Sequence, residues 1–373
     1  MSVMRAYHEM SVYRGRQLTT DRELNVLHIG DTKRGRDFIE RLFGHVPERE
    51  LIGKCIVWSL PKRLKRIETK FDIVMVEINR LFAKRFRQSG YFTIPQWVEF
   101  GREITKDTQK RYADAPKSLK SDLNKIRRSD FRAFISRDLN DFIYFYDRMY
   151  RPHILRRYPD TMITKSRKQL EKIFSSGFLL ILKKADHPVA GALVKIDDDV
   201  ITESCIGVFE GRKELLQCGV SGLMDYHLQE WAAENSKRFI NVGHTRPFPL
   251  DGVYFNKRKW MMSISPDGDG VMSLAFKPNI RPNETAAILT SYPFIFQSKN
   301  NLFCLVCIYC KIKDFSMDLI HNLWKRYWTD GLKGIVVFAP AGFSPAIVQL
   351  VYQRYEGKIC LTTNLRQALK FHG

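Results

Sequence analysis

The chain of 373 residues is longer than one ordinary domain needs, and its 44% hydrophobic and 12% aromatic content supplies sizeable cores and excludes wholesale disorder. Its 61 Lys and Arg against 40 Asp and Glu leave a formal charge of +21. That balance favours an anionic partner (nucleic acid, a phosphorylated metabolite or an anionic membrane surface), with an unspecific basic surface as the plainer alternative.

The opening "MSVMRAYHEMSVYRGRQLTT" has no apolar stretch of the kind a secretory leader carries. No apolar run approaches the roughly 18 residues of a spanning helix. The expectation is a cytoplasmic protein with no integral membrane association. "NVLHIGD" reads as a strand, "RGRDFIERLFG" as a helix ending at Gly44, and "GKCIVWSL" as a strand broken by Pro61. "FDIVMVEI" is a further strand, leading into a basic helical stretch, "NRLFAKRFRQSG". Such alternation indicates an α/β layer. Gly30 and Gly35 lack the spacing of a dinucleotide-binding loop.

In "DAPKSLKSDLNKIRRSDFRAFISRD", Leu119, Leu123 and Ile126 fall at helical spacing beside Lys117, Lys120, Lys125, Arg127, Arg128 and Arg132. The face is either solvated or a contact for phosphates. "DLNDFIYFYDRMY" predicts an aromatic helix ending before Pro152, with His153, Arg156, Arg157 and Tyr158 beyond it. "KSRKQLEKIFSSG" is another helix, stopped by Gly177. "FLLILKKADHPVAGALVKIDDDVITESCIGV" then reads as three short strands joined by turns, an antiparallel meander. A helix from about Val220 to Asn235 follows, then a strand, "KRFINVG". "HTRPFPLDGVYFNKRKWMM" reads as a Pro-broken loop running into a last strand or hairpin. From about Pro278 the tail alternates again, as a small third domain or as the completion of the N-terminal layer. Its Cys304, Cys307 and Cys310 have a metal-like spacing, but on a strand successive members point to opposite faces, so small core residues are the expectation and no metal is assigned. The domain division expected is 1–112, 113–277 and 278–373.

Meander, loop, helix, strand, hairpin is the order of the GCN5-related N-acyltransferase (GNAT) fold. The run from Phe178 to Trp260 resembles its peptidoglycan-bridge-forming, FemAB-like branch, through "FLLILKKADHPVAGALVKI", "GVFEGRKELLQCGVSGLMDYHLQEWAAENSKRFINVG" and "TRPFPLDGVYFNKRKW". With the basic helix ahead of it the resemblance covers about residues 115 to 262. It implies an α/β (α+β) fold, a mixed and mostly antiparallel sheet flanked by helices, with α/β segments before and after. It also implies transfer of an acyl group from coenzyme A, or an aminoacyl group from charged tRNA, to an amine acceptor, with no tightly bound cofactor. The acceptor stays open among a cell-wall or polysaccharide precursor, a protein lysine and a small amine.

By position, Lys257 matches the family's motif lysine, and Asn256 stands where an aromatic residue usually precedes it. A cation at a developing oxyanion is a large term in acyl transfer; the alternative for Lys257 is an exposed strand lysine. Glu203 lies on the candidate splayed strand as a base or as a paired structural carboxylate. Tyr254 either protonates a leaving thiolate or packs. The resemblance places the donor at Ile206, Gly207, Val208, Gly211, Arg212 and Gly219; Gln217, Gly219 and Gly222 give a shifted version of the usual coenzyme A loop. His153, His244, Arg246 and Asp251 are substrate-side candidates, Asp251 being alternatively a turn cap. The competing function is a non-enzymatic nucleic-acid-binding protein on the same fold, although no nucleic-acid module is recognised. A lipid-modifying aminoacyltransferase would be expected to carry membrane spans.

Overall fold

The computed structural model describes residues 7–56, 60–105, 107, 112–157, 165–266 and 272–369. Its first strands are β1 (Tyr7–Arg16), β2 (Glu23–Gly30), β3 (Arg49–Ile56), β4 (Ile73–Asn79), β5 (Phe92–Pro95) and β6 (Val98–Glu103). β7 (Phe131–Ser136), β8 (Gly177–Lys184), β9 (His187–Asp197), β10 (Val200–Val208), β11 (Phe239–Thr245) and β12 (Ser263–Pro266) follow. The last are β13 (Met272–Pro278), β14 (Phe294–Ser298), β15 (Asn301–Cys307), β16 (Leu332–Phe338) and β17 (Ile359–Thr362). They form a six-stranded sheet β3-β1-β2-β4-β13-β5, a seven-stranded sheet β12-β6-β11-β10-β9-β8-β7 and a four-stranded sheet β14-β15-β16-β17. The fold is mixed α/β.

The chain divides into two compact units. One comprises Met1–Val98, Arg246–Tyr254 and Ser265–Gly373; the other comprises Glu99–Thr245 and Phe255–Ile264. This differs from the expected three-part division. The reason is non-local pairing: β13 inserts between β4 and β5, antiparallel to both, while β6 joins the seven-stranded sheet. The tail beyond Pro278 shares a core with the N-terminal layer, where Phe38, Met75 and Phe92 pack with Phe294, Phe303 and Val336.

In the first unit, alternation sorts β2 and β4 between two cores. Val26, Ile73 and Met75 face one, while Leu27, Ile29, Val74 and Val76 face the other. Both faces are covered, so these strands read as nearly continuous apolar runs. Cys304 and Cys307 are buried on β15, with Cys307 in the core cluster.

In the second unit β8, β9 and β10 form the expected antiparallel meander. Leu179, Ile181 and Leu193 meet Phe142, Phe145, Met149 and Tyr150 on one face. On the other face Phe178 meets Trp231 of the helix Val220–Glu234, with ring centroids 4.2 Å apart. The helix expected to stop before Pro152 instead continues to Arg157. A π-helical turn, Phe145–Tyr150, precedes the proline, and the Arg151 N–H reaches back five residues to Tyr146 O. The widened turn shifts the hydrogen-bond register where proline offers no donor. Tyr158 lies outside the described residues.

Candidate active site

β10 and β11 run parallel but pair only between Val200–Thr202 and Phe239–Asn241. β10 stays bonded to β9 as far as Val208, with a bulge between Glu203 and Cys205. On β11, Gly243 has φ +74 and faces the Glu203 carbonyl. The Asn241 side chain accepts from the Gly243 N–H at 2.7 Å and donates to Glu99 at 2.5 Å. Side-chain bonds thus take over where the ladder ends, and Glu203 stands where the two strands part.

The stretch expected to be a last strand or hairpin is a helix, Gly252–Lys259. Asp251 caps it, accepting from the Val253 N–H at 2.9 Å. Lys257, Arg258 and Lys259 fill its last turn, where cations suit the helix dipole. Trp260, buried just beyond, packs on Gly222; a β-carbon there would sit 2.8 Å from the indole.

This helix makes Lys257 a partly buried residue rather than an exposed strand lysine. Its ammonium donates to Val242 O at 2.5 Å and His244 O at 3.3 Å, and lies 5.9 Å from the Phe100 ring centre. Burial pushes the Lys257 pKa down, and the charges of Glu203 and Asp225 pull it back up. Burial pushes Glu203 up to about 7 against the opposing pull of Lys257. Asp225 is raised well above its ordinary value by burial and then by the Glu203 charge, with Lys257 and an Asn256 hydrogen bond (3.4 Å) opposing. Two carboxyls and one ammonium therefore share a site. Glu203 titrates near neutrality, and Asp225 holds its proton more tightly than an ordinary carboxyl does.

Asp225 is the member that sequence reasoning missed. It falls on the buried stripe of its helix, beside Leu223, Met224 and Leu228. A carboxylate at an apolar position of an amphipathic helix was the available signal. Asn256, the departure from the family pattern, is the residue that donates to it.

Other expected residues are distributed differently. Gly207 and Gly211 pack against the chain itself: β-carbons there would meet Tyr150 N at 2.6 Å and Pro152 O at 2.9 Å. They admit the Phe145–Arg157 segment onto β10. Gly219 is open, with φ +86, and starts the helix Val220–Glu234; no side chain caps that helix and its first turn has no acid. Ile206 and Val208 continue β10, and exposed Arg212 stacks on Phe209 at 5.2 Å. His153 is buried, its pKa lowered to about 4 by burial and by Arg157. His244 is exposed, 4.0 Å from Glu99. Arg246, Asp251 and Tyr254 belong to the first unit. There Arg246 pairs with Asp37 at 2.9 Å, Asp251 with Arg41 at 3.2 Å, and the buried Tyr254 hydroxyl donates to Thr329 at 2.9 Å. Among the described residues no helix is long and apolar enough to cross a membrane.

The meander, the parting of β10 from β11 and the helix that follows keep the order expected from the sequence. No family model and no curated protein matches the chain. Solved structures similar to it include FemX (9% identity, 71% of this chain and 83% of that chain, TM-score 0.39). L-PGS from Bacillus licheniformis is also similar (14% identity, 76% and 85%, TM-score 0.34). So is a GCN5-related N-acetyltransferase from Sphaerobacter thermophilus (11% identity, 74% and 78%, TM-score 0.33).

Proposed function

We propose that the chain is an N-acyltransferase that moves an acyl or aminoacyl group from acyl-CoA or aminoacyl-tRNA to an amine. The observation that carries this reading is the cluster of Glu203, Asp225 and Lys257 where β10 and β11 part. A base with pKa about 7 suits removal of a proton from an attacking amine near neutrality. As the C–N bond forms, the carbonyl oxygen gains negative charge, and the Lys257 ammonium is the cation at hand to stabilise it. Collapse breaks the C–S bond to coenzyme A or the C–O bond to the tRNA ribose, and the leaving group takes up the proton that Glu203 removed. Asp225 holds the electrostatic balance of the pair.

In this reading the β11-facing edge of β10, through Ile206 and Val208, binds an extended donor arm as an added strand would. The open start of the helix at Gly219, with Arg212 nearby in sequence, receives donor phosphates. The donor is a co-substrate and not a resident cofactor. Exposed His244 is the remaining substrate-side candidate of the second unit; buried His153 is not.

The test is turnover of acetyl-CoA and of aminoacyl-tRNA with amine acceptors, comparing the wild type with Lys257→Ala. Transfer from either donor that is lost in the variant supports the reading. Salt-dependent RNA binding without turnover of either donor would replace it with the nucleic-acid-binding alternative.

A further inference from the structure

The first unit contains a cavity of ≈ 760 Å³ lined by Lys84, Arg87, Lys299 and Arg366, together with Gln88, Ser89 and Ser298. Among the described residues four cations face it and no carboxylate does. Several arginines elsewhere in the chain are ion-paired instead. Arg22, Arg41, Arg49, Arg148, Arg238 and Arg246 each have a carboxylate partner within 3.3 Å. Among the described residues none of the four cavity cations has an ion-pair partner. Arg87 makes one side-chain hydrogen bond, a long one of 3.4 Å to Thr93, and burial lowers its pKa with no acid to compensate. Ser298 is only 3% exposed, lines the cavity and makes no side-chain hydrogen bond among the described residues.

Convergent cations are costly to hold together unless something neutralises them. Three separate segments supply them. Lys84 and Arg87 lie on the helix Ala83–Gln88, Lys299 on the turn between β14 and β15, and Arg366 on the helix Leu365–Ala368. Lys299 holds φ +53, an uncommon backbone state for a lysine. Among the described residues no aromatic ring lines the space, so these supply charge and hydroxyl donors but no platform on which a base could stack.

We infer that this cavity is a binding site for a ligand carrying two or more neighbouring phosphate groups, read by charge rather than by a base. The phosphates belong either to a small polyphosphate or to a nucleic-acid backbone. The site is independent of the acyl-transfer reading, because none of its residues belongs to the Glu203, Asp225 and Lys257 cluster.

The experiment titrates full-length protein with tripolyphosphate and, separately, with a fluorescent oligouridine, for the wild type and Lys299→Ala/Arg366→Ala. Both substituted side chains are exposed, and equal melting temperatures confirm that the variant is folded. Tripolyphosphate binding that weakens at least tenfold in the variant supports a polyphosphate site. Oligouridine binding that weakens likewise, with its salt slope reduced by about 0.7 per cation removed, supports the site with a backbone phosphate as its ligand. Binding of neither probe, or equal binding by wild type and variant, overturns the inference.

Discussion

The Lys257 ammonium donates to the carbonyl oxygen of Val242 across 2.5 Å, tying the last turn of the helix Gly252–Lys259 to β11 beyond its pairing with β10. The bond fixes where the cation sits, and Glu203 and Asp225 fix how strongly it is held. Lys257→Ala is expected to abolish acyl transfer yet leave a folded protein. Both carboxyls respond to the loss of their cation by holding protons more tightly, so no bare charge remains buried. Kinetics and a melting curve on the same preparation check this; unchanged turnover would remove Lys257 from the chemistry.

Glu203, with its pKa near 7, gives wild-type kcat/KM a limb that rises with pH and levels off above neutrality. Glu203→Gln is expected to lose that limb, so its rate loss relative to wild type is greatest above neutrality, where the wild-type carboxylate is ionised, and smallest at low pH. A variant profile superimposable on the wild type would exclude Glu203 as the base.

Asp225 binds its proton more tightly in the native state than in the unfolded chain. Its contribution to stability is therefore full below the unfolded-state pKa and is lost as pH rises toward the raised native value. Asp225→Asn removes that loss, so its melting temperature relative to wild type should be higher at pH 8.5 than at pH 5.5. Equal offsets at the two pH values would contradict the assignment.

The shift of His153 has the opposite sign. Its native pKa of about 4 lies below the ordinary value of 6.5, so its stabilising contribution is present above pH 6.5 and disappears as pH falls toward 4. On the order of 3 kcal/mol is at stake, at 1.36 kcal/mol per unit. His153→Gln should flatten the acid limb of stability, measured by urea unfolding between pH 7 and pH 4.5; an unaltered limb would place acid sensitivity elsewhere.

Gly207→Ala tests whether this glycine serves packing. The new methyl would meet the backbone of Tyr150 and Met149, which cannot rotate away, so a stability loss of about 2–3 kcal/mol is expected. Gly219→Ala meets nothing within 4 Å and should cost only about 1–2 kcal/mol, for its left-handed backbone. Equal stability of Gly207→Ala and wild type would return that glycine to the donor-binding role.

Much of the second unit was legible in sequence because its signals are local. "FLLIL", its turn residues and the apolar stripe from Val220 announce β8 to β10 and the helix without reference to distant residues. The helix Gly252–Lys259 was hidden by Pro247, Pro249 and the β-prone Val253, Tyr254 and Phe255, although Asp251 as a cap and three cations in the last turn were its signature. Glu203 and Lys257 were found through order along the chain. Asp225 was not, because its meaning depends on which helix face is buried. The insertion of β13 between β4 and β5 has no local signature at all.

That insertion also governs the order of synthesis. β4 and β5 leave the ribosome early, yet the strand that bonds to both, Met272–Pro278, emerges almost two hundred residues later, after the entire Glu99–Thr245 segment. Until then the nascent chain must carry two open strand edges. A fragment cut near residue 112 would keep those edges permanently and should associate with itself, whereas the meander and its helices lie within one uninterrupted stretch and can close while translation continues.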